Sequence, residues 1–129
     1  MLRRRRVGGR GATPAHWGLA IAMTVAATGC ASALTEGESQ FKKGRYPEAK
    51  ETFARLSQES RTWDDARRAE YALYRGLTSG ALGDRAQASV WLLEAKTIED
   101  THPGSLSADD LARLRLGLDS VSSTQAPPP

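Results

Sequence analysis

At 129 residues, 40% of them apolar and 26% charged, the chain has material for one small core and excludes a multidomain machine. Its formal charge of +3 is local, because Arg3, Arg4, Arg5, Arg6 and Arg10 precede residue 30 and no acidic residue does; the other 100 residues carry 13 basic groups against 15 acidic ones. That balance argues against a nucleic-acid partner, and one cysteine with two histidines is too few for an internal disulfide or an ordinary His/Cys metal site.

The N-terminus reads as four arginines, a Gly/Arg/Thr/Pro stretch, the apolar run Trp17 to Thr28, and Gly29-Cys30. A basic region, an apolar region and a small-residue cleavage site in that order make a secretory signal over residues 1–29. The apolar run has 12 residues, whereas a helix crossing a hydrocarbon core of about 30 Å needs about 20. Ala27-Thr28-Gly29-Cys30 resembles the bacterial lipobox, with Ala27 where Leu is usual three residues before the cysteine. The resemblance implies a diacylglyceryl thioether on Cys30, cleavage before it, and a protein held on the membrane by its acyl chains. An ordinary secretory signal with a chance cysteine is the alternative. Ala31 and Ser32 follow, with no Asp beside the cysteine. By the same resemblance this favours the outer membrane, facing the periplasm, if the source is Gram-negative.

After a lipidated N-terminus and short tether at 30–32, the chain to residue 121 has no alternating β-branched run and is dominated by Ala, Leu, Glu, Arg and Lys, so helices are expected. Lys43-Gly44-Arg45-Tyr46-Pro47 is a turn with proline at a first-helical position, and Gly83-Asp84 is a helix stop followed by an N-cap. Thr101-His102-Pro103-Gly104 is a third break, and Ser107-Ala108-Asp109-Asp110 reads as a capping box with Asp in place of Glu. This punctuation predicts helices at about 33–43, 47–58, 63–81, 85–97 and 107–121. Residues 122–129, ending in three prolines, are expected to be a disordered tail. Ala49, Phe53 and Leu56 share one helical face, as do Ala88, Leu92 and Ala95, and Leu111, Leu114, Leu118 and Val121 form a third stripe.

Two of the punctuation marks superimpose at a shift of 39 residues. Gly44, Ala49, Phe53 and Leu56 fall on Gly83, Ala88, Leu92 and Ala95, and Ala33 and Gly37 fall on Ala72 and Gly76. This pattern resembles the tetratricopeptide repeat, with small residues where the two helices of a hairpin approach and large apolar ones filling the seam. The resemblance implies an all-α fold of about two helical hairpin repeats plus a C-terminal capping helix. Glu36 and Arg75 stand where that family has Leu, Gln40 and Ser79 where it has Tyr, and about five residues are inserted near Arg61 to Ala66. A generic pair of helical hairpins is the alternative. Two repeats are fewer than a solenoid usually needs, so self-association or docking on a partner is expected to complete the core, and Trp63 and Trp91 offer further apolar area, Trp91 in the core or against the last helix.

No arrangement of nucleophile, base and orienting group is apparent, and no phosphate-cradling glycine loop occurs, so the chain reads as a non-enzyme without cofactor or catalytic residues. The pairs Asp64-Asp65 and Asp109-Asp110 begin helices, where carboxylates complement the macrodipole. The remaining expectation is a membrane-anchored module that binds a protein partner. In the repeat family the first helix of each hairpin lines the ligand surface, which maps here onto Leu34, Glu38, Phe41 and Lys42, then Glu70, Leu73 and Leu77. A structural envelope lipoprotein without a specific peptide ligand is the second expectation.

Overall fold

The computed structural model describes residues 28–123, of which 28–32 are described as backbone alone. Residues 1–27 of the expected signal, the side chain of Cys30 and residues 124–129 of the expected tail lie outside the described part. The fold is all-α: α1 (Thr28–Lys42), α2 (Tyr46–Arg55), α3 (Asp65–Ala81), α4 (Arg85–Thr101) and α5 (Ala108–Ser122), with a short 3-10 turn at Glu59–Thr62. Helices α1 and α2 form one hairpin and α3 and α4 the second, while α5 packs on α3 and α4. Helix α3 touches all four others, so the core is built around it.

The helix ends follow local chemistry. Both hairpin turns close in the same way. Gly44 and Gly83 adopt φ of 75° and 83°, a left-handed conformation in which a Cβ is strained. The N–H of Arg45 donates to Gln40 at 2.8 Å, and that of Asp84 to Ser79 at 2.9 Å. The Asp64 and Asp84 carboxylates accept from the N–H groups of Arg67 and Gln87 at 2.9 and 3.1 Å, each satisfying a donor that its helix leaves open. Ser107 Oγ accepts from the Asp110 N–H at 3.2 Å. The Asp110 carboxylate does not return to the Ser107 end; it accepts from the Tyr74 hydroxyl at 2.9 Å.

The 39-residue shift reappears in three dimensions. A Cβ on Gly37 would come within 2.6 Å of the Phe53 ring, and one on Gly76 within 2.8 Å of Leu92, so the same pair of positions closes each hairpin. The alignment suggests Gly37 against Ala49, one turn away. Long side chains on a helix lean toward its N-terminus, which carries the Phe53 ring back to the level of Gly37. Leu34 and Leu73, Ala49 and Ala88, Phe53 and Leu92, and Leu56 and Ala95 are buried in equivalent pairs.

Three boundaries differ from expectation. Among the described residues α1 spans Thr28–Lys42, so helix is already present ahead of the expected start at residue 33, and no glycine or proline stands between Cys30 and Ala33 to stop it. Helix α2 ends at Arg55 and yields to the 3-10 turn, whereas α4 runs to Thr101. Trp91, expected in the core or against the last helix, packs on the core, edge-on to Tyr71 of α3 with ring centroids 5.7 Å apart. Phe53 and Trp63 meet the same Tyr71 ring at 6.1 and 5.7 Å.

Candidate interaction site

Of the seven residues mapped to a ligand surface, Leu34 and Leu73 do not lie on one. They are 4% and 0% exposed and belong to the core, because their apolar side chains face the α2 and α4 side of the seam. The other five, Glu38, Phe41, Lys42, Glu70 and Leu77, come together where α3 lies between α1 and α5.

The polar half of this site is one connected network. Glu38 shares a side-chain hydrogen bond with Glu70 across α1 and α3. The Lys42 ammonium stands 3.7 Å from the Glu38 carboxylate and 5.4 Å from the centre of the Tyr74 ring. Tyr74 donates to Asp110, which also accepts from Arg113 at 2.9 Å, so α5 is tied to α3 at this point. Burial, then the hydrogen bond and the charge of Glu70, push the Glu38 carboxyl up to about 8. Burial and the Asp110 carboxylate likewise push the Tyr74 hydroxyl well above its usual range. The neighbouring Tyr74 and then the hydrogen bond to the Asp110 carboxylate raise Arg113 above its usual value.

The apolar half is a shallow depression of about 340 Å³ lined by Phe41, Leu77, Arg113, Leu116 and Gly117. Phe41 is backed by two further rings, tilted on Tyr46 and edge-on to the buried Tyr74, with centroids 5.5 and 5.6 Å apart. Leu116 stands 70% exposed at the edge of the depression. An apolar floor with cations and carboxyls at its rim can seat an apolar side chain of a partner and orient the chain that carries it.

The contribution of α5 is absent from the sequence reading. Asp110 carries a cap signature, Arg113 and Leu116 look like solvated positions, and only the docking of α5 beside α3 brings them to Phe41. Among the described residues no group of three or more His, Cys, Asp and Glu is placed to hold a metal ion, and no helix is long and apolar enough to cross a membrane. His102 lies in the turn after α4 with its Nδ1 3.4 Å from an Asp65 carboxylate oxygen. Compared with protein-family models, curated proteins and solved structures, the chain returns no match.

Proposed function

We propose that this protein is a lipid-anchored interaction module of the bacterial envelope. Acyl chains on Cys30 hold it to a membrane, and the face built by α1, α3 and α5 receives a protein partner. The observation that carries the reading is that face: an apolar depression lined by Phe41, which buried Tyr74 backs, an exposed Leu116, and a charged rim drawn from three helices. The twofold recurrence of the turn and of the small-on-large contact supports a tetratricopeptide-like scaffold, a type of fold that works by presenting such faces. The module acts by binding rather than by chemistry. In a Gram-negative cell its place is the outer membrane, facing the periplasm.

Two measurements test the two halves of this reading. Cys30→Ala should abolish incorporation of a labelled fatty acid and leave an uncut precursor; equal labelling of variant and wild type removes the anchor. Capture from detergent-solubilised membranes should return one stoichiometric protein, lost in Leu116→Asp. Recovery of only the protein itself or of cell-wall material supports the structural envelope role instead.

A further inference from the structure

A second groove lies on the other side of α3. At 100° per residue, Arg68, Tyr71, Ala72 and Arg75 project opposite to Glu70, Tyr74 and Leu77. Helix α2 has 10 residues where its repeat equivalent α4 has 17, and the chain turns away through Glu59–Thr62 before α3 begins. The early stop leaves a gap over α3 between that turn and α4, where Arg75 reaches the surface above the nearly buried Tyr71 and Ala72. The result is a groove of about 620 Å³, with Ser57 and Arg61 on one wall, Tyr71 and Arg75 on the floor, and Val90 and Trp91 on the other wall.

Three guanidinium groups line it against one carboxylate, Glu94. Arg68 is committed, with Glu94 at 3.3 Å and Asp65 at 3.6 Å. Arg75 is not: it lies 4.2 Å over the Trp91 ring and 5.7 Å from that of Tyr71, and donates to the Tyr71 hydroxyl. A guanidinium carries five N–H donors. Among the described residues neither Arg75 nor Arg61 enters an ion pair. The Trp91 indole N–H is buried with no acceptor, a state that native folds seldom leave uncompensated. Val90, 57% exposed on the same wall, is an apolar surface without a protein partner.

We propose that this groove binds an acidic peptide segment, with a carboxylate paired to Arg75 and Arg61 and a neighbouring apolar side chain laid on Val90 and Trp91. The planar fork of Arg75 matches a carboxylate in two parallel hydrogen bonds. Glu94 at the rim disfavours a doubly charged phosphate, and the apolar wall favours a singly charged group carried on an apolar body. As the carboxylate draws Arg75 off the indole face, the Trp91 N–H gains a route to an acceptor. This site is separate from the α1, α3 and α5 face, and its failure leaves the reading of that face untouched.

The test uses the purified protein, ¹⁵N-labelled, in detergent micelles, with the Trp91 indole N–H signal assigned through Trp63→Phe, and through Trp17→Phe where residue 17 is retained. The probes are acetyl-Leu-Glu-Leu-amide, which offers a side-chain carboxylate, and acetyl-Leu-Leu, which offers a chain-end carboxylate. Acetyl-Leu-Gln-Leu-amide and inorganic phosphate are the comparisons. At least one carboxylate peptide should move the Trp91 signal saturably, with affinity at least about tenfold above that of the glutamine peptide and of phosphate. Arg75→Gln should weaken it about tenfold and Arg61→Gln, on the exposed turn, about threefold, while Arg85→Gln changes nothing. The Arg61 variant keeps the test valid if Arg75→Gln loses its helical spectrum. Equal binding of the glutamine peptide, tighter binding of phosphate, or no saturation by about 10 mM overturns the proposal.

Discussion

Gly76 and Gly80 lie on the same helix, one turn apart, and the same substitution should act on them with opposite sign. Replacing a helical glycine by alanine is worth up to about 1 kcal/mol of helix propensity. At Gly80 the new Cβ finds its nearest neighbour, the Ala88 Cβ, at 3.6 Å, an ordinary contact, so most of that gain is kept. At Gly76 it meets Leu92 Cγ at 2.8 Å, and Leu92 Cδ2 and the Leu92 backbone nitrogen each at 3.0 Å. The Leu92 side chain is itself buried, with Gly117 of α5 against it, and the backbone nitrogen moves only if α3 and α4 part. Overpacking of this kind costs about 1–3 kcal/mol. Gly76→Ala should therefore lose about 1–2 kcal/mol net, which in a domain this small lowers the melting temperature by roughly 5–15 °C. Gly80→Ala should raise it by a few degrees or leave it unchanged. Thermal melts followed by circular dichroism read both. If Gly76→Ala is as stable as wild type, α3 and α4 are not in the close register described, and the shared seam of the two hairpins fails with it.

Phe53→Ala should cost about 3–5 kcal/mol by opening a cavity beneath Gly37, and Ala49→Leu about 1–3 kcal/mol by overfilling a fully buried site. The exposed Glu48→Ala should stay within about 0.5 kcal/mol, and urea melts of the three variants that gave equal midpoints would refute the hairpin packing. Glu38 titrates near 8 in the folded protein against 4.5 as its ordinary value, so the folded state holds this proton longer than the unfolded one. Its contribution is complete below about pH 4.5 and is lost as pH rises toward about 8. Glu38→Gln, which keeps a donor for Glu70 and removes the charge, should match wild type at about pH 4.5 and exceed it at about pH 8.5, by an amount on the order of a few kcal/mol; parallel melts at the two pH values check this, and a gain that is the same at both would refute it.

What could be read in the sequence was what is decided within a few residues. The glycines at 44 and 83, the proline at 47, and the caps at Asp84 and Ser107 act on their own backbone, and each works as its residue type implies. The 39-residue repeat was legible because it copies those local signals together with the spacing of the seam. The early end of α2 was not, since no glycine or proline stands between Arg55 and Glu59 to announce it. Nor were the partners of Arg75 and Asp110. Arg75 is 16 residues from Trp91, and Asp110 is 36 residues from Tyr74, so their meeting depends on how whole helices dock. Leu34 and Leu73 were misplaced for the same reason. A stripe shows that a residue is apolar and on a given face, and leaves open whether that face meets another helix or a partner.

The continuity of α1 back through Cys30 sets a limit on reach. A flexible tether would let the domain sweep a volume, but a helix rising about 1.5 Å per residue fixes the separation between Cys30 and everything on that helix. Glu38 then lies about 12 Å from Cys30 along the axis, and Lys42 about 18 Å. With Cys30 acylated as proposed, the α1 side of the proposed face would lie within about 20 Å of the lipid headgroups whatever the tilt of the helix. The proposed partner would then have to bring its matching segment that close to the bilayer, which would select for proteins that are themselves embedded in or resting on the same membrane.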